Sequence, residues 1–124
     1  MRLLAVIIML IAPSFAWAEN YLCITDQATG FSAEDGTHKI TQFKSGEKFI
    51  FNTENATLSQ FGSESPIISD CDVREKLVYC SSLIVNFNMH RENLRFMFFL
   101  KAYGYVWEKD DETPYIAIGT CSKF

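Results

Sequence analysis

From Asn93 to Tyr105 the chain reads NLRFMFFLKAYGY, and its side chains sort at period two. Leu94, Phe96, Phe98, Leu100 and Ala102 share one wholly apolar face. Arg95, Met97, Phe99, Lys101 and Tyr103 share the other, which is apolar in its middle and charged towards its ends. Leu94, Met97, Phe98 and Lys101 also fit helical spacings of three and four, but the aromatic density and the following Gly104 favour a strand. Upstream, Leu77–Phe87 (LVYCSSLIVNF) is β-branched and aromatic, and Met89–Asn93 is a polar turn between the two runs. A hairpin with much of the core follows, its simplest register placing Val85 opposite Phe96 and Phe87 opposite Leu94. The apolar middle of the second face predicts a central strand whose outer side is partly covered by a neighbour or a partner.

The first eighteen residues, MRLLAVIIMLIAPSFAWA, combine Arg2, an apolar run from Leu3 to Ala12, a break at Pro13, and Ala16 and Ala18 around Trp17. That is the pattern of a secretory signal peptide cleaved after Ala18. The apolar run is too short to span a bilayer, so no membrane anchor is expected after cleavage. Leu22 just before Cys23 is too large for a bacterial lipidation site. Residues 19–124 then form one exported domain, of a size that supports a modest core. The leader holds one basic and no acidic residue, so the net charge moves from −4 to −5 on cleavage. An acidic chain without basic clusters argues against nucleic acid as a partner.

All four cysteines, Cys23, Cys71, Cys80 and Cys121, lie beyond the leader, and an even count in an exported chain reads as two disulfides. Three pairings are open. The favoured one joins Cys23 to Cys121, tying the first strand to the last, and Cys71 to Cys80, closing a local bend. No C-x-x-C spacing suggests a metal centre.

Elsewhere, Tyr21–Phe31 begins as an alternating strand with Leu22 and Ile24 on one face. Asp35-Gly36 is a strong hairpin signal, and Lys44–Glu47 is a second turn, so His38–Phe43 and Lys48–Asn52 are the next strands, Phe49 and Phe51 sharing a face opposite Ile50. Residues 53–70 are polar and weakly patterned, which leaves a long loop or a short helix from near Asn55 with Leu58 and Phe61 against the sheet. Gly104 is expected to bend or bulge the strand before Tyr105, Val106 and Trp107. Lys109–Thr113 is an acidic turn stopped by Pro114, and Tyr115–Cys121 is the last strand, with Ile116 and Ile118 on one face. The fold class is all-β with room for one short helix, a small antiparallel barrel or sandwich held by two disulfides.

Chemistry is less evident. His38 and His90 are the only candidate imidazole bases and both lie beside turns; Gly62-Ser63-Glu64-Ser65 is not a G-x-S-x-G elbow. Asp70 and Asp72 flank Cys71, and Asp110, Asp111 and Glu112 form a run, but both clusters sit in polar stretches where solvated turns are the simpler reading. Neither carries a D-x-D-x-D-G calcium loop. No catalytic, cofactor or metal residues are assigned. Tyr103, Tyr105 and Trp107 alternate next to the Gly104 bend; packing into the core is the commoner fate of such a stripe, and an exposed binding strip is the alternative.

The segments YLC at Tyr21–Cys23, GF at Gly30-Phe31, FN at Phe87-Asn88, LRF at Leu94–Phe96, GY at Gly104-Tyr105 and PYIAIGTC at Pro114–Cys121 resemble a group of small, uncharacterised exported bacterial proteins. That resemblance implies an exported β-rich domain and no active site. Trp107-Glu108-Lys109 is also similar to the W-x-K element of the periplasmic lysozyme inhibitors of the small β-barrel type, although their S-G-x-x-Y loop is absent. The expected function is therefore binding of an unknown protein or small ligand by a monomeric or weakly dimeric periplasmic or secreted domain. Inhibition of a cell-wall hydrolase is one alternative. A small hydrolase with Asp70 or Asp72 in a cleft is another.

Overall fold

The computed structural model describes residues 19–109 and 112–124; the expected leader at 1–18, and Asp110 and Asp111 of the acidic run, lie outside the described residues. The described residues form strands β1 (Asn20–Glu34), β2 (Thr37–Phe43), β3 (Lys48–Asn52), β4 (Thr57–Gln60), β5 (Pro66–Ile68), β6 (Asp72–Val73), β7 (Leu77–Ser81), β8 (Val85–His90), β9 (Arg95–Leu100) and β10 (Tyr115–Lys123). A 3-10 segment, Tyr103–Trp107, stands between β9 and β10. All pairs are antiparallel, in the order β5-β4-β3-β1-β10-β9-β8-β7-β6, with β2 paired to the far half of β1. The all-β expectation therefore holds, as an antiparallel half-barrel.

The curl is visible in the aromatic contacts. β3 and β8 lie four strand positions apart, roughly 19 Å along a flat sheet. Yet the rings of Phe51 and Phe87 are 6.3 Å apart, and Phe49 stacks on Phe98 at 4.6 Å. The inward faces of β1, β3, β8, β9 and β10 thus close on one core containing Tyr21, Phe49, Phe51, Phe87, Phe96 and Phe98. Gly119 on β10 makes this possible, because a Cβ there would run into the Ile24 carbonyl oxygen and the Phe96 ring. The two ends of the strand path are consecutive in sequence: Ser69, Asp70 and Cys71 link β5 to β6. The Cys71 N–H donates to the Ala56 carbonyl at 2.9 Å.

Both favoured disulfides are present, Cys23–Cys121 and Cys71–Cys80. Each joins residues directly opposite in register: Cys23 faces Cys121 across β1 and β10, and Cys71 continues the β6–β7 pairing that sets Asp72 against Tyr79. The Asp35-Gly36 hairpin is also present, with both residues at positive φ (50° and 74°), as a tight turn between twisted strands requires.

Several expectations are corrected. Phe87 faces Phe98 and Val85 faces Leu100, four residues from the simplest register. The turn occupies 91–94 rather than 89–93, because the His90 carbonyl accepts from the Leu94 N–H at 2.9 Å and His90 Nδ1 accepts from the N–H groups of Glu92 and Asn93. Met89 and His90 therefore stay in β8, and the inward face is unchanged. The run Leu77–Phe87 is split by a turn in which Ser82 Oγ accepts from the Ile84 and Val85 N–H groups. Residues 53–70 are neither helix nor long loop but the short strands β4 and β5; Leu58 is buried, whereas Phe61 is exposed under the Lys48 ammonium.

On β1 the buried residues are Tyr21, Cys23 and Thr25, with Leu22 and Ile24 on the outer face. A bulge between Thr25 and Gln27 then switches the inward parity to Ala28. On the outer face of β9 and β10, Met97 and Phe99 are 41% and 38% exposed and Ile118 is 49% exposed, so nothing among the described residues fully covers this strip.

Candidate functional site

The half-barrel has two dissimilar ends. At one end, the start of β1, the end of β10 and the β8–β9 turn converge on Glu19. Its carboxylate accepts from the Tyr21 hydroxyl at 2.5 Å and pairs with Arg91 at 2.8 Å and Lys123 at 3.5 Å. Arg91 also donates to the Arg74 carbonyl at 2.7 Å and to the Tyr21 hydroxyl at 3.3 Å. The Tyr21 and Arg91 hydrogen bonds, with the Lys123 and Arg91 charges, hold the Glu19 carboxyl down at about 2. The hydrogen bonds to Tyr21 and Glu19, with the charge of those partners, raise the Arg91 guanidinium above its ordinary value. Each donor here has an acceptor, so the arrangement is structural.

The other end is built from apolar groups facing water. β9 stops at Leu100, the Lys101 N–H donates to the Ile84 carbonyl at 2.7 Å, and Lys101 Nζ donates to the Ser82 carbonyl at 2.9 Å. Ala102 then takes a left-handed conformation (φ 46°), which leaves the sheet and starts the 3-10 segment; Glu108 (φ 62°) ends it. The expectation of a bent strand through Tyr105–Trp107 is thereby corrected: the strand ends before Gly104. Gly104 is the buried residue of the segment, packed so closely on the Glu112 side chain that a Cβ would collide with it.

Tyr103, Tyr105, Val106 and Trp107 are all exposed, Trp107 at 78%. Core packing, the commoner fate of a stripe, is therefore not what these residues do. In a 3-10 segment they wind around an axis rather than alternating on a strand face. Leu83 and Ile84, exposed in the β7–β8 turn, lie at the same end.

Two cavities open there. One, of about 500 Å³, lies among Phe43, Glu47, Ile84, Leu100, Glu112 and Tyr115. Burial pushes the Tyr115 hydroxyl up to about 12, aided by the charge and hydrogen bond of the Glu47 carboxylate 3.5 Å away. The second, of about 150 Å³, lies between the β1–β2 arm and the 3-10 segment and is lined by Phe31, His38, Tyr105 and Pro114. The Phe31 N–H donates to the Pro114 carbonyl at 3.2 Å, and Gly30 lets the arm approach, since a Cβ there would strike Pro114 and Tyr115.

The remaining sequence candidates are dispersed. His90 is occupied in the β8–β9 turn, at the opposite end from His38. Asp72 pairs with Arg74 at 2.9 Å on the surface, and Asp70 is exposed in the β5–β6 link. Ser63 hydrogen-bonds within its own turn. Among the described residues no cluster of three His, Cys, Asp or Glu side chains is arranged to hold a metal ion, and no helix is long and apolar enough to cross a membrane. Sequence reading missed Phe31, Glu47 and Ile84 as cavity walls, and the Glu19–Arg91 pair. The available signal for Ile84 was a pair of large aliphatics, Leu83-Ile84, directly after the turn-forming Ser82. No family model, no curated protein and no solved structure matches the chain.

Proposed function

We propose that this is an exported binding domain, acting in the periplasm or outside the cell, that captures its partner through the apolar end of the half-barrel and performs no catalysis. The observation that carries this reading is the 3-10 segment, which holds Tyr103, Tyr105, Val106 and Trp107 out in water, Trp107 the most exposed of the described aromatic residues at 78%, beside the exposed Leu83 and Ile84 of the β7–β8 turn. Large exposed apolar groups grouped at one end of a small domain mark interaction sites, and Trp and Tyr are the residue types that dominate binding energy when a partner covers them. Two disulfides suit an oxidising compartment.

A more specific reading follows from the exposed Trp107-Glu108-Lys109, a protruding aromatic next to a cation that would suit insertion into the cleft of a cell-wall hydrolase such as lysozyme. The test is capture from an envelope extract, and inhibition of lysozyme, by the mature protein and by Trp107→Ala. The exposed position predicts that this variant folds with stability within about 0.5 kcal/mol of the parent, while capture falls at least about tenfold. Equal capture by the two proteins would sink the reading. Turnover of a polymer or ester substrate by the purified protein would point instead to a hydrolase. Lysozyme inhibition that needs Trp107 would establish the inhibitor.

A further inference from the structure

We infer that the free edge of β2 is a self-association surface, where a second copy of this chain adds its own β2 antiparallel and joins two half-barrels into one sheet. The inference goes beyond the capture surface and does not rest on it.

The backbone of the edge comes first. Among the described residues, β2 pairs with β1 on one side and with no strand on the other. The two-residue Asp35-Gly36 turn makes Glu34 and Thr37 a hydrogen-bonded pair, so Lys39, Thr41 and Phe43 also bond towards β1. Phe31 bears out this parity, because its N–H donates to the Pro114 carbonyl, away from its β2 partner Ile40. The N–H and C=O groups of His38, Ile40 and Gln42 therefore point out from the sheet. Such a row is a template for another strand.

Short strands, prolines, bulges and free lysines are the usual guards of an edge. At the two ends of the strand path, β5 and β6 are only three and two residues long, and β5 begins at Pro66. By contrast β2 runs for seven residues with an unbroken register and no proline. Its lysine, Lys39, is paired within the hairpin to Glu34 at 3.3 Å.

Self-complementarity selects a second copy as the added strand. Ile40 is the middle residue of Thr37–Phe43, so full overlap of two antiparallel β2 strands sets Ile40 opposite its own counterpart, His38 opposite Gln42 and Lys39 opposite Thr41. Each outward pair then exchanges two hydrogen bonds, and no charge meets a like charge. Ile40 is 84% exposed and faces Phe31, 44% exposed, across the hairpin. Joining two hairpins thus makes one apolar row: Phe31, Ile40, then the same two residues of the second copy in reverse. A slip one step towards the turn would oppose the two Lys39 side chains, and a slip the other way would part the two Ile40 residues. The contact is isologous, so it closes as a two-fold dimer.

The test is sedimentation equilibrium of the mature protein, with amide hydrogen exchange along β2. The parent is expected to dimerise as concentration rises, and the His38, Ile40 and Gln42 amides, open in the monomer, should exchange at least about tenfold more slowly in the dimer. Ile40→Pro removes one outward N–H and leaves the β1–β2 hydrogen bonds in place, so dimerisation should weaken at least about tenfold. Ile40→Cys should give a disulfide-linked dimer, since opposed residues of a bonded pair sit about 5.5 Å apart. Gln42→Cys, on the same face but roughly 14 Å from its counterpart, should not. A monomer at every concentration would overturn the inference and leave the edge to a strand of another protein. A dimer indifferent to Ile40→Pro, or equal crosslinking of the two cysteine variants, would overturn it as well. Trp107→Ala is expected to leave the dimer intact, so this inference and the capture reading fail separately.

Discussion

At the Glu19 end of the half-barrel, polar side chains close on one another; at the Trp107 end, apolar side chains are left to water. The same sheet produces both. Where β1, β10 and the β8–β9 turn converge, Glu19, Tyr21, Arg91 and Lys123 use up each other's hydrogen-bonding capacity. Where β9 runs out at Leu100, the chain leaves the sheet through Ala102 and exposes four large residues within a single short turn. The first arrangement resists change and offers a partner little. The second contributes little to holding the sheet together and has the groups that a partner would bury. The contrast teaches that stability and recognition can be separated along one small domain.

The separation is sharpened most by the disulfides. Cys23–Cys121 joins the first and last strands and spans 98 residues, whereas Cys71–Cys80 spans 9. On the chain-entropy account, replacing the first pair by alanine costs about 4 to 5 kcal/mol and replacing the second about 2 to 3. Urea unfolding of the two double variants should rank them in that order. A reversed ranking would mean that the β5–β6 link, rather than the β1–β10 seam, governs the half-barrel.

Acid tests the Glu19 end specifically. The carboxyl titrates at about 2 in the fold against 4.5 as an ordinary glutamate, so its contribution is present above about pH 4.5 and is lost as pH falls towards 2. Glu19 is about a third exposed, and after allowing for solvent screening the loss is about 1 to 2 kcal/mol. Unfolding free energies of the parent should fall across that window relative to those of Glu19→Gln. Parallel curves would remove the network from the account of stability.

How much of this was legible in the sequence depends on whether the signal was local. Asp35-Gly36 declares its own backbone, and Phe96 and Phe98 declare their face by alternation, so the hairpin and the core strand could be read directly. Cys23 and Cys121 were pairable because each lies in a recognisable terminal strand. By contrast, the bulge at Asp26 switches parity with no residue that announces it, and β4 and β5 are too short for a periodic pattern; β4 takes its place by pairing with β3, and β5 by pairing with β4. Tyr103–Trp107 alternates on paper, but Ala102 in a left-handed turn takes it out of the sheet just after Lys101 has been tied to Ser82 and Ile84, contacts that are far away in sequence. The site was missed for the same reason: Phe31, His38, Tyr105 and Pro114 come from three separate stretches that only the fold brings together.

Alkali probes the other end, and its effect is the smallest. Tyr115 titrates at about 12, above the ordinary 10, chiefly through burial. Its contribution is fully present below about pH 10 and is lost as pH rises towards about 12, because the unfolded chain releases the proton first. The ring is only partly buried, so the loss is about 1 kcal/mol. Tyr115→Phe has no proton to lose, and stability measured at about pH 9 and about pH 11.5 should decline more steeply for the parent than for the variant. If a partner seats in the cavity beside Glu47, it will bury Tyr115 further, and the difference between parent and variant will widen when the partner is bound. A difference that stays fixed would place the partner out on the Trp107 segment alone, away from the cavity floor.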